Sequence, residues 1–317
     1  HLPHSFSPET GWAPDANYNL ALLRWGCETL IALSERLGIE DPLVPQWREV
    51  LDTLVDYPTD ETGYMLGADT PLDFGHRHYS HLLMIYPLYL VNIEQEGQRE
   101  IIEKSLAHWI GFESGKCLYT WAGAASIAAA LTEGNQALDY LERTKHEPSL
   151  ASTTLYSEGG YPVMESPLAM AQCIHDMLLQ SWGTGSDAKI RVFPAVPDAW
   201  QDVCFSELRA EGAFLISAAR KGGETQWINI KSLAGEPCRI KTDMHDPVLA
   251  NASAHTLTSI AADLYALDLK IDEEALLVRK GTPNPTADIA PVDLPDGKAN
   301  MFGLNANHPG PQPDCPL

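Results

Sequence analysis

The sequence is short of positive charge, of long apolar runs and of closely spaced cysteines, and each shortage removes a class of function. Lys and Arg total 21 against 43 Asp and Glu, a net charge of −22. A field of that sign repels phosphate backbones and anionic lipid, so neither nucleic acid nor a membrane surface is expected as a partner. The longest apolar run, Leu82 to Val91, is about half of what a bilayer span needs and is interrupted by Pro87. No transmembrane helix is expected. Cys27, Cys117, Cys173, Cys204, Cys238 and Cys315 have no short paired spacing, which argues against a structural zinc site or a dense disulfide framework. A Gly-x-Ser-x-Gly elbow, a P-loop and a dinucleotide fingerprint are all missing, so acyl transfer, nucleotide hydrolysis and hydride transfer have no local support. No cofactor is expected.

What is present is a globular composition: 317 residues, 44% of them hydrophobic, enough for one large domain or two ordinary ones. The chain begins at His1 rather than Met and reads as a mature product or the C-terminal part of something longer. One sequon, Asn251-Ala252-Ser253, is a short match that arises readily by chance.

From Asn17 the hydrophobic period is helical. Leu20, Leu22, Leu23, Trp25, Leu30, Ile31, Leu33 and Leu37 cover most of a helix circumference, as in a helix packed on several sides, and Gly38 stops it. Further helical patterns at about 44–55, 79–90, 98–111, 118–131, 134–145 and 166–182 predict seven helices in residues 1–183 and no strand. Successive helix pairs point to an α/α toroid or bundle, with function on the longer connections, 56–77 and 146–165. After Gly183 the period becomes two. Lys189–Phe193, Ala213–Ala218 and Gln226–Ile230 read as strands, with Gly222-Gly223 as a hairpin turn, so a β-rich module is expected over 184–280. The Pro-rich stretch 281–317 is expected to be irregular.

The densest polar cluster is Gly75-His76-Arg77-His78-Tyr79-Ser80-His81-Leu82, at the head of an apolar run that reads as a buried helix. His76, His78 and His81 could ligate a metal, supply a general base or hydrogen-bond a polar substrate. Alternatively His78 and Ser80 cap a helix while the others pack. No carboxylate or cysteine pattern beside them completes a familiar ligand set, and no metal is expected. Two carboxylates stand out elsewhere. Glu9 follows Ser7-Pro8 on a stiff loop, where it could act as a general acid or be a surface residue. Glu165 opens a helix ending in Met177-Leu178-Leu179-Gln180-Ser181, where the orphan N–H groups and dipole favour an ionised base, or an ordinary cap. Glu158 competes with Glu165 for that role. Trp12, Tyr64, Tyr79, Trp109, Tyr119, Trp121, Tyr156 and Tyr161 lie near these loops, and flat rings with polar edges are what sugars stack upon.

Taken together, Ser7-Pro8-Glu9, His76-Arg77-His78-Tyr79-Ser80-His81-Leu82 with Tyr86-Pro87, Met177-Leu178-Leu179-Gln180-Ser181, Phe193-Pro194-Ala195-Val196-Pro197-Asp198-Ala199-Trp200 and Leu208-Arg209-Ala210-Glu211-Gly212-Ala213-Phe214 resemble glycoside hydrolase family 95 over residues 2 to 240. The resemblance implies an inverting α-L-fucosidase or α-L-galactosidase type of enzyme. Its fold would be mainly α: the second half of an (α/α)6 barrel (1–183) followed by a C-terminal β-sandwich domain (184–280). By motif, Glu9 matches the general acid, and His76, Arg77, His78 and His81 match residues lining the sugar pocket. Glu165 falls where the family has the aspartate of an Asp-Gly-Asn segment that activates water, although here the segment is Glu165-Ser166-Pro167. The implied partners are an oligosaccharide or glycan substrate and a missing N-terminal half of the same protein, and the substrate class suggests a secreted or periplasmic location. A catalytically lapsed carbohydrate-binding protein of the same fold, or a helical interaction module with an acidic face, are the alternatives. Clustering of Glu9, the histidines and Glu165 would favour the hydrolase, and their dispersal the module.

Overall fold

The structure, a computed structural model, describes residues 1–145, 147, 149–150, 155–250 and 255–282. The sequon at Asn251, Cys315 and the Pro-rich stretch from 283 onward lie outside the described residues.

The N-terminal part alternates helices with two-stranded hairpins. Strands β1 (Ser5–Ser7) and β2 (Gly11–Ala13) form the first hairpin, followed by α1 (Asn17–Leu37) and α2 (Val44–Thr53). A hairpin of β3 (Thr59–Asp60) and β4 (Gly63–Tyr64) precedes α3 (Gln98–Gly111), α4 (Leu118–Ala130) and α5 (Gly134–Thr144). A third hairpin, β5 (Tyr156–Glu158) with β6 (Tyr161–Val163), leads into α6 (Glu165–Leu178). The helix α4 sits at the centre. Its run Ala122-Gly123-Ala124-Ala125 and Ala128-Ala129-Ala130 is buried, and small side chains let α5 and α6 approach it closely.

Helix α1 ends as its sequence dictates: Gly38 adopts a left-handed φ of 64°, and its N–H and that of Ile39 return to the carbonyls of Glu35 and Ser34. Its packing differs from expectation. Only one side is buried, by Leu20, Ala21, Cys27 and Ile31, while Leu22, Leu23, Trp25, Leu30, Leu33 and Leu37 are exposed.

Two helix assignments are corrected. Residues 79–90 are not a helix: a single 3₁₀ turn, Ser80–Leu82, gives way to turns. Pro87 has no N–H, and its ring would collide with the Leu83 carbonyl in a continuous helix, while Tyr89 takes a left-handed φ of 51°. The helix expected to reach 182 ends at Leu178, and Leu179–Trp182 continues as strand β7.

From β7 onward the chain is sheet. The strands are β8 (Lys189–Val192), β9 (Val203–Ala210), β10 (Phe214–Lys221), β11 (Glu224–Ser232), β12 (Pro237–Lys241), β13 (Pro247–Leu249), β14 (Thr258–Ala261), β15 (Leu264–Asp268) and β16 (Glu274–Arg279). They form two five-stranded sheets, β13-β16-β11-β10-β9 and β14-β15-β12-β8-β7, antiparallel except for the β8–β12 pair. The Gly222-Gly223 turn joins β10 to β11 with left-handed φ values of 58° and 78°. Inward residues of both sheets, among them Ile190, Val192, Ile240 and Leu267 from one and Phe214, Ile216, Ile228 and Leu277 from the other, make one core. The expectation of a mainly α chain is therefore overturned. Six α-helices share the described residues with sixteen strands. Helical periods extend over many residues and dominate a reading of pattern, whereas strands of two to five residues leave little trace.

Helices and sheets meet at a buried charge. Arg191, from β8, lies over the Trp182 ring and donates to Glu94 Oε1 at 2.8 Å, and Lys189 donates to Glu94 Oε2 at 2.7 Å. Tyr89 stacks on Trp182 with ring centroids 5.2 Å apart. Burial opposes ionisation of Glu94, but the hydrogen bonds and charge of Lys189 and Arg191 outweigh it and hold its carboxyl below the ordinary value. No helix among the described residues is long and apolar enough to cross a membrane.

Candidate active site

The turn of the β1–β2 hairpin carries Glu9. Its backbone is left-handed, with φ 59°, a conformation that costs a non-glycine residue on the order of 1 kcal/mol. The turn is held by the Thr10 N–H and hydroxyl, both donating to the Ser7 carbonyl. Ser7 Oγ and Thr10 Oγ1 also lie 2.8 and 3.2 Å from the buried Ser80 Oγ. Two motifs about seventy residues apart are thus pinned together by three hydroxyls.

The segment bearing the histidines is fixed from below. Gly75 and Gly115 pass so close that a Cβ on Gly75 would lie 2.1 Å from the Ser114 carbonyl oxygen, so neither position has room for a side chain. The Trp109 indole N–H donates to the His76 carbonyl at 2.8 Å. Tyr79 lies on the bare backbone of Gly123 in α4, between Trp109 and Tyr119. Its neighbour His78 meets the Tyr119 ring edge to face, at 5.4 Å.

These supports bring four predicted residues together. Arg77 Nη2 lies 2.7 Å from Glu9 Oε2, and His76 Nε2 and His78 Nδ1 are 3.8 and 3.5 Å from the same oxygen. On its other side Arg77 Nε reaches Glu158 Oε1 at 3.2 Å. Burial lowers the affinity of both imidazoles for a proton. Around His76 the neighbouring His78 and Arg77 lower it further, against Glu9 and Glu158. Around His78 the opposing charges are Glu9, Glu158 and Glu165 against Arg77.

Glu165 and His81 are placed differently. Glu165 is the exposed first residue of α6 and reaches the cluster through its charge on His78. The α6 helix is locked to α4 by Asp176, which accepts from Ser126 and Gln172, with burial raising its carboxyl above the ordinary value. His81 faces the core. It is 1% exposed, its Nδ1 has no hydrogen-bond partner, and burial, aided by the charge of His108, pushes its pKa down to about 3.

Glu9, His76 and His78 converge closely enough to raise the question of a metal, with ligand atoms within 4.8 Å of one another. The hydrogen bonding opposes it. His76 Nδ1 accepts the His78 backbone N–H at 3.1 Å, so the proton of the neutral ring sits on Nε2, the atom that would have to bind. The Arg77 guanidinium already occupies Glu9 Oε2.

Arg77 joining Glu9 to Glu158, and the seat of Tyr79 on Gly123, were not anticipated from sequence. A signal for the first exists: Gly159-Gly160 between Tyr156-Ser157-Glu158 and Tyr161-Pro162-Val163 is the mark of a hairpin, and it turns Glu158 back beside Tyr161.

Comparison with known proteins reaches the sheets. Residues 185–274 match the family model described as glycoside hydrolase family 95, C-terminal domain. This stretch is thus similar to the C-terminal domain of the family that the motifs resemble. No curated protein matches the chain.

Proposed function

We propose that the protein is a glycoside hydrolase that removes a terminal sugar of the α-L-fucoside type, with inversion, at the cluster around Arg77. In this reading residues 1–183 carry the chemistry and residues 184–280 are the C-terminal domain. Glu9 protonates the leaving glycosidic oxygen, and a carboxylate of the segment between Glu158 and Glu165, the latter named by motif, activates water on the opposite face. His76, Arg77 and His78 hold the sugar hydroxyls. His81 is buried in the core. The substrate is an oligosaccharide or glycan. The exposed apolar side of α1 is where a further, N-terminal part of the same protein would pack.

The observation that carries this reading is the convergence of Glu9, His76, Arg77 and His78 about one carboxylate oxygen, beside a domain of family 95. One observation favours a second reading, sugar binding without hydrolysis: Glu165-Ser166-Pro167 stands where the family's water-activating segment is expected. A screen of aryl glycosides with the full-length protein separates the two. Turnover of α-L-fucosides or α-L-galactosides supports the enzyme, and saturable binding without turnover supports the lapsed form.

A further inference from the structure

Arg77 holds two carboxylates with two different nitrogens. Its Nη2 is 2.7 Å from Glu9 Oε2 and its Nε is 3.2 Å from Glu158 Oε1. Because these nitrogens belong to one rigid planar fork, roughly 2.3 Å apart, the two bound oxygens lie within about 8 Å of each other. The two carboxyls therefore face one site, as the acid and base of a glycosidase must.

Glu158 is also the better supported of the two carboxylates. It lies on β5, whose Tyr156 is buried and hydrogen-bonded to Cys117, and it is closed back beside Tyr161 by the Gly159-Gly160 turn. A base must be held in place to orient a water, and a residue on an anchored ribbon meets that need. Glu165 sits exposed at the tip of α6, followed by Ser166-Pro167.

Resting on the glycosidase reading above, we propose that Glu158, and not Glu165, is the carboxylate that activates water opposite Glu9. The sugar enters over Arg77, whose N–H groups turn to its hydroxyls and release both carboxyl groups for the reaction. Glu158 takes a proton from water as the water oxygen bonds to the anomeric carbon. The glycosidic C–O bond breaks, and Glu9 gives its proton to the departing oxygen. Bulk water then returns a proton to Glu9 and removes one from Glu158, so each turnover consumes one water.

The test uses full-length protein and an aryl α-L-fucoside. Glu158→Gln keeps the size of the side chain and is expected to lower kcat by about 10²–10⁴-fold, the range for loss of a general base, with KM little changed. Glu165→Gln is expected to lose far less. Glu158→Gly with sodium azide supplies the sharper readout, since azide needs no base: turnover returns and the product is a glycosyl azide of inverted anomeric configuration. The same treatment of Glu165→Gly should give no azide product. Azide rescue of the Glu165 variant alone, or a Glu158→Gln enzyme near wild-type kcat, overturns the assignment and leaves the glycosidase reading standing. A wild-type protein that hydrolyses no glycoside overturns both.

Discussion

Glu9 Oε2 and Arg77 Nη2 are 2.7 Å apart, and the same guanidinium holds Glu158 through Nε. A lysine keeps the charge and loses the fork, so it can serve one carboxylate and not two. Arg77→Lys should therefore raise KM for an α-L-fucoside by roughly tenfold, about 1.4 kcal/mol of lost binding. Steady-state kinetics check this, and an unchanged KM would remove Arg77 from the sugar site.

Tyr79, the neighbour of His78, rests against Gly123. Gly to Ala inside a helix ordinarily gains about 1 kcal/mol. Here the new Cβ would lie 2.3 Å from Tyr79 Cε1, and the ring is trapped between Trp109 and Tyr119. Gly123→Ala should instead destabilise by about 1–3 kcal/mol and weaken sugar binding with it. Urea unfolding gives the first quantity and a fucoside titration the second. A stabilised variant would show that Tyr79 can move at no cost.

His81 makes the fold acid-sensitive. Its pKa falls from about 6.5 in the unfolded chain to about 3 in the folded one because the ring is buried. The unfolded chain thus binds the extra proton below pH 6.5. The stability that neutral His81 contributes is complete above 6.5 and is lost as pH falls toward 3, by about 1.4 kcal/mol per pH unit. Unfolding free energies measured at pH 7 and pH 4.5 should differ by about 2–3 kcal/mol, and His81→Phe should flatten the dependence. An unaltered slope in the variant would place the acid sensitivity elsewhere.

Glu94 is the counter-charge for Arg191, which is 5% exposed at the junction of helices and sheets. Removing the carboxylate strands a buried guanidinium, a loss of about 3 kcal/mol, whereas replacing both residues with apolar ones of similar volume would cost far less. Glu94→Ala should lower the unfolding free energy by about that amount, and Trp182 fluorescence should report it, since Arg191 lies on that ring. A loss below about 0.5 kcal/mol, the range of an exposed pair, would contradict the buried-charge account.

Elements whose ends are written in local chemistry were legible in the sequence. Gly38 closes α1, and Gly222-Gly223 turns β10 into β11. Leu82–Tyr86 misled because an apolar run reads alike whether it is a buried helix or a buried turn, and only Pro87 hinted at the outcome. The short hairpins escaped for the opposite reason, having too few residues to show a period of two. For the site, Glu9 and the histidines were named through motif resemblance, while their meeting depends on Ser7, Thr10 and Ser80, whose contacts span 70 and 73 residues. The Arg77–Glu158 pair depends on a tertiary approach that spacing does not encode.

The role proposed for Glu9 is that of proton donor in an inverting glycosidase. The most direct measurement is hydrolysis of two α-L-fucosides by wild-type protein and Glu9→Gln: a p-nitrophenyl fucoside, whose leaving group needs little protonation, and a fucosylated oligosaccharide, whose leaving group needs it. Proton NMR reads the first-formed anomer. β-L-Fucose is expected as the initial product, with Glu9→Gln losing about 10²–10⁴-fold on the oligosaccharide and much less on the aryl substrate. Equal losses on both substrates, or an α-configured first product, would contradict it.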